Sequence, residues 1–129
     1  MIEYRAPNAE WTKNYGLSTA ALTGRYMFNG AMALDVEKLK RLDEADTVAN
    51  EVIFCLNKLK TTIGNEGFGP ESIVKLTMYL SDMAYQDEAE TALVEFFGAA
   101  DQPLYITIGA GLAADCRVEI EAVTEARTA

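Results

Sequence analysis

Histidine is missing from all 129 residues. Its absence removes Ser-His and Cys-His nucleophilic catalysis, and with them the commonest transition-metal ligand. Carboxylates alone can hold a metal, but no acidic residues fall at a ligand spacing, so neither a metal nor a cofactor is expected. Cysteine is nearly as scarce: Cys55 and Cys116 are the only two. Far apart in the chain and without a secretory context, they are expected to be free thiols. Basic residues are few, eleven against twenty acidic, for a formal charge of −9. Phosphate backbones are held by Lys and Arg, so this balance argues against nucleic acid as a partner and against an anionic membrane surface. Such a charge serves solubility. No apolar run of about 18 residues occurs, which excludes a helical membrane span. Glu3, Arg5, Asn8 and Glu10 do not make a basic stretch followed by an apolar one. No signal peptide is therefore expected, and a cytoplasmic location is the default. Repeats and low-complexity segments are also absent.

What is present fits one domain spanning 1–129. Half of the residues are hydrophobic, and a chain of this length buries roughly two-thirds of the surface it exposes when unfolded. A core without disulfides or metal follows.

The first dozen residues read as irregular, with Pro7 and Asn8 as turn formers. Residues 17–23 and 25–31 read as two short strands joined at Gly24, the aromatic run Tyr26-Met27-Phe28 suiting a pleated surface. Lys38 to Asp46 reads as a polar connection. From Glu44 to Ile63 the apolar residues Val48, Val52, Ile53, Leu56, Leu59 and Ile63 recur at three- and four-residue spacing, which predicts a helix with Cys55 on its apolar face. Gly64 is its stop and Gly67 to Pro70 a loop. Ser72 to Leu80 predicts a strand, Asp87 to Phe97 a second helix, and Leu104 to Ala110 a further strand broken by Gly109-Ala110-Gly111. Cys116 to Thr124 alternates, Val118 and Ile120 on one face and Arg117, Glu119 and Glu121 on the other, as in a strand with one wet side. The order β-β-α-β-α-β-β predicts an α+β fold, a mixed sheet with both helices packed on one face. Tyr26, Phe28, Met78 and Ile106 lie on strands whose two faces cannot all be covered by two helices, so a neighbouring subunit is expected to cover the rest.

The run Ile73-Val74-Lys75 through Leu80-Ser81-Asp82, the closing segment Arg117-Val118-Glu119-Ile120-Glu121-Ala122 and the tripeptide Phe28-Asn29-Gly30 resemble, in this order and spacing, the RidA/YjgF family over nearly the whole chain. The resemblance implies a chorismate-mutase-like fold, a homotrimer, and sites in three clefts between subunits. It also implies hydrolysis of reactive enamines and imines. In such members an arginine two residues after a proline grips the substrate carboxylate, and a glutamate of the closing strand orients water.

Here Pro103 is followed by Leu104 and then Tyr105 where that arginine stands. The nearby cysteine position holds Thr107, the N-terminal tyrosine position Leu17, the asparagine of the second helix Glu90, and the serine before Gly30 is Asn29. Glu119 keeps the closing-strand glutamate. Arginine makes a rigid two-point bond to a carboxylate, and tyrosine cannot supply that charge. A standard aminoacrylate-deaminase role is therefore not expected. Glu119 and Tyr105 are the candidate catalytic residues, by proton transfer and by hydrogen bonding to developing charge. Thr107, Asn29, Gly30, Leu17 and Glu90 are the candidate small-molecule-binding residues. Each has a plain structural alternative: a strand-surface glutamate, an interface aromatic, a strand-forming threonine, a turn, an exposed helical glutamate. Gly109-Ala110-Gly111 lacks the lysine and helix start of a phosphate loop. A non-catalytic trimer that binds a ligand or partner is the second expectation.

Overall fold

The closing strand organises the molecule. In the computed structural model, which describes residues 1–5, 18–98 and 102–125, it spans Val118–Glu125, and Val118, Ile120, Ala122 and Thr124 on one face are buried. Period-two alternation puts Glu119, Glu121 and Val123 on the opposite face.

In chain order the strands are β1 (Glu3–Arg5), β2 (Ala20–Leu22), β3 (Tyr26–Met32), β4 (Leu34–Asp35), β5 (Lys40–Arg41), β6 (Ile73–Leu80), β7 (Leu104–Gly109) and β8 (Val118–Glu125). The helices are α1 (Val48–Gly64) and α2 (Gln86–Phe97). Six strands form one sheet in the order β1-β2-β3-β8-β6-β7, with β4 and β5 a separate small hairpin. Among the described residues only the β6–β7 pair is parallel, and α2 lies on the crossover between them. The mixed sheet with two helices on one face is as expected.

The core lies between that face and the helices. Met27, Leu76, Met78, Leu80, Val118 and Ile120 from the sheet meet Val52, Leu56, Leu59 and Ile63 of α1 and Leu93 of α2. Met78 is thus a helix-side residue, whereas Phe28 and Ile106 stand on the uncovered face, each 43% exposed.

Several boundaries differ from the sequence reading, each for a local reason. α1 starts at Val48, not Glu44, because the Thr47 side chain accepts from the Asn50 N–H at 3.0 Å and caps the helix there. The opening residues are not wholly irregular: Glu3, Tyr4 and Arg5 pair antiparallel with β2. Three residues are too few to show alternation. The polar connection at 38–46 contains β5, two residues paired back to β4 across a turn in which Leu39 has φ 53°. Cys116 precedes β8 rather than opening it. Pro7 and Asn8 lie outside the described residues.

Candidate functional site

Strand parity divides the candidate residues between two faces of one chain. Tyr105 pairs in register with Leu76, and Thr107 with Met78, both of which are core residues. Tyr105 and Thr107 therefore point to the helix side, as their shared parity predicts. Thr107 Oγ1 donates to Glu90 Oε2 at 2.6 Å, and Gln86 Nε2 donates to the same oxygen at 3.2 Å. Gln86 and Glu90 are one helical turn apart on α2, which lets both reach the β7 edge. Tyr105, Thr107, Gln86 and Glu90 are all half-buried.

Glu119 and Gly30 belong to the other face. Gly30 pairs with Glu121, and Glu119 with Met32 on one side and Tyr79 on the other. They line a cavity of about 940 Å³ with Phe28, Lys75, Thr77 and Tyr79. A second cleft of about 270 Å³ wraps round β3 beyond the end of β2, where Gly30, Met32 and Glu119 meet Thr19 and the α1 residues Lys58 and Thr62. Burial, and secondarily the charge of Glu121, hold the Glu119 carboxyl above its ordinary value. Glu121 in turn accepts from the Tyr79 hydroxyl at 2.9 Å, and that bond raises the Tyr79 pKa.

The raised Glu119 pKa has a definite sign for stability. Its contribution is fully present below the unfolded-state pKa and is lost as pH rises through the folded one. Glu119→Gln should thus raise Tm slightly at neutral pH, and the difference should vanish at about pH 3.5, below the ordinary glutamate range. Thermal melts of both proteins across that range measure it.

Asn29 departs from its neighbour Gly30. It shares parity with Met27 and Ala31, is only 6% exposed, and neither Nδ2 nor Oδ1 has a hydrogen-bond partner among the described residues. A buried amide left unpaired costs about 1–3 kcal/mol per group. Leu17 lies outside the described residues.

Arg117 is committed elsewhere. Its Nε donates to Glu51 Oε1 at 2.8 Å, and its η nitrogen to the Ala45 carbonyl at 2.9 Å. Glu51, fully buried, also accepts the backbone N–H groups of Arg117 and Val118 at 2.8 and 3.0 Å. This carboxylate fastens α1 to the start of β8, the strand that carries Glu119. Both cysteines are free and buried, their thiols pushed up to about 12 for Cys55 and about 11 for Cys116 by desolvation. Neither is a nucleophile at neutral pH.

Sequence reasoning missed Lys58, Thr62, Tyr79 and Glu51. The first three are ordinary surface types on a helix or strand, and only the fold gathers them round Glu119. Glu51 carried a usable signal, an acidic residue one position from the apolar stripe of α1.

This architecture is shared with known proteins, and the chain belongs to the endoribonuclease L-PSP family, whose sequence profile matches residues 8–126. Its solved neighbours include members of the YjgF family. NMB1025, a YjgF family member from Neisseria meningitidis, is 21% identical with a TM-score of 0.79, over 100% of this chain and 98% of that one. Rv2704 of the YjgF/YER057c/UK114 family from Mycobacterium tuberculosis is 19% identical with a TM-score of 0.78, over 97% and 99%. Yeast Mmf1 is 15% identical with a TM-score of 0.79, over 98% and 100%. At such identities the likeness concerns the fold. No curated protein matches the sequence.

Proposed function

We propose that the chain is a small-molecule enzyme of the RidA type, with its sites in clefts between the subunits of a homotrimer. It would act by acid–base chemistry on a neutral or cationic nitrogenous metabolite. The observation that carries this reading is the division of the candidate residues. Tyr105, Thr107 and Glu90 gather at the β7 edge on the helix side, while Glu119 and Gly30 gather on the opposite face. One chain cannot close these halves on a single ligand, but the β7 edge of one subunit set against the Glu119 cleft of the next can.

Hydrolysis of an imine or enamine uses the groups available. Glu119 takes a proton from water as its oxygen bonds to the C=N carbon, and the Tyr105 hydroxyl hydrogen-bonds to the nitrogen as charge develops. The proton returns to nitrogen to give a carbinolamine, whose hydroxyl proton then passes to the departing nitrogen as the C–N bond breaks and C=O forms, releasing ammonia or an amine with a carbonyl product. An enamine first takes a proton on carbon to become the imine. No cofactor enters this balance. An isomerase, cyclase or lyase step would use the same parts. Because Tyr105 stands where the family has its arginine, standard aminoacrylate deamination is not part of the proposal.

The family's description names RNA cleavage, but this chain has no histidine, a charge of −9, and two glutamates on its open face. These features favour a small uncharged or cationic substrate over a polyanion. The alternative is a non-catalytic trimer of the same build, supported by the resemblance, in which Tyr105 takes the place of the family's charged anchor.

Sedimentation equilibrium at micromolar concentration is the first test. A mass about three times 14.1 kDa is expected. A stable monomer would remove the composite cleft, and with it both readings.

A further inference from the structure

The hydrogen bonds at the β7 edge determine what that half of the cleft can recognise. The Thr107 hydroxyl has one proton, and it is given to Glu90 Oε2. Gln86 gives one of its amide protons to the same oxygen. Both donors fall on Oε2, so Oε1 of Glu90 keeps its lone pairs, as do Thr107 Oγ1 and the Gln86 carbonyl oxygen. Glu90 forms no ion pair among the described residues. No lysine or arginine occurs in the sequence between Lys75 and Arg117, a stretch with seven acidic residues.

From this arrangement we propose that Glu90, pinned by Thr107 and Gln86, is the specificity residue of the cleft and selects a ligand bearing an N–H-rich cation: a primary ammonium, amidinium or guanidinium group. This rests on the reading of the β7 edge as one wall of the site, and it narrows the substrate class within that reading. Three acceptors in one hydrogen-bonded cluster fit a group with several N–H donors, and a carboxylate meets only lone pairs and like charge. A quaternary ammonium has the charge but no N–H to give. Because two donors already hold the Glu90 carboxylate, the side chain loses little rotamer freedom when the ligand arrives. Thr107 and Gln86 are positioning residues as well as acceptors.

The test uses the full-length protein and simple probes. Ligand-observed NMR titrations with methylguanidinium, tetramethylammonium and acetate are run on the parent, Glu90→Gln, Thr107→Val and Glu119→Gln proteins. Each variant is first shown to keep the parent's mass and a cooperative thermal melt. Methylguanidinium should bind the parent, and Glu90→Gln should weaken it about ten- to a hundredfold, the effect of losing a charged hydrogen-bond partner. Tetramethylammonium should bind at least tenfold more weakly than methylguanidinium, as one expects when N–H donation decides. Thr107→Val, which frees the carboxylate and removes an acceptor, should weaken methylguanidinium by a smaller factor. Equal affinity in parent and Glu90→Gln, equal binding of the two cations, or no binding of methylguanidinium to the parent would each overturn the proposal. Glu119→Gln, which removes a charge from the opposite wall of the cleft, should weaken methylguanidinium less than Glu90→Gln does. Its turnover separately tests the enzyme reading, so a cation-binding cleft without catalysis is told apart from a wrong specificity residue.

Discussion

Replacing Glu51 with alanine should cost the protein about 3–5 kcal/mol, the range for removing one partner of a buried ion pair. The expected loss is a large part of the roughly 5–15 kcal/mol that holds a typical domain folded. Three donors lose their acceptor at once: the Arg117 guanidinium and the backbone N–H groups of Arg117 and Val118. Among the described residues, the Ala45 carbonyl is the acceptor that remains for the guanidinium. Urea unfolding of the variant measures the loss. Arg117→Met combined with Glu51→Leu should recover only part of it, since an apolar pair removes the stranded charge but leaves the two N–H groups unmet. Recovery to the parent stability would show that the carboxylate serves the arginine alone, and an unchanged midpoint in the single variant would contradict the anchoring role.

Glu119→Gln should lower turnover of the eventual substrate by about a hundred- to ten-thousandfold, the usual contribution of a positioned general base. The amide keeps the shape and cannot take a proton. Tyr105→Phe keeps packing area and loses only the hydroxyl. If that hydroxyl meets developing charge, activity should fall by roughly ten- to a thousandfold with mass and Tm unchanged. Parent-like rates in both variants would put the chemistry elsewhere. A screen of neutral and cationic imines, lactams and amines supplies the substrate. The elevated Glu119 pKa, caused by burial and then by Glu121, sets the expected pH profile. Activity should rise with pH along an acidic limb lying above the ordinary glutamate range.

The long elements were legible because their periodicity is strong. α1 buries Val48, Val52, Leu56, Leu59 and Ile63, the stripe its spacing announced, and β8 buries Val118 and Ile120 as its alternation required. The short strands β1, β4 and β5 were not, because two or three residues carry no period and their pairing is decided by distant partners. At the site, the common face of Tyr105 and Thr107 followed from parity alone. Their contact with Glu90 did not, since it depends on how the α2 crossover sets Gln86 and Glu90 against β7. Asn29 and Gly30 were read as one motif, yet adjacent residues in a strand face opposite ways, and Asn29 is buried where Gly30 is exposed, although both border the open-face cavity.

The position of β7 at the end of the sheet has a consequence for self-association. Leu104, Ile106 and Ile108 stand exposed along it, and the segment Leu104-Tyr105-Ile106-Thr107-Ile108-Gly109 contains neither a charge nor a proline. Edge strands are commonly guarded by such residues, and a six-residue uncharged stretch rich in β-branched side chains is a template for cross-β stacking. The same backbone that forms one wall of the proposed cleft is therefore a nucleation hazard whenever it is bare. Docking of a neighbour would then act as a chaperone-like shield as well as completing a site, with newly made chains passing through a window in which ordered assembly competes with fibre growth.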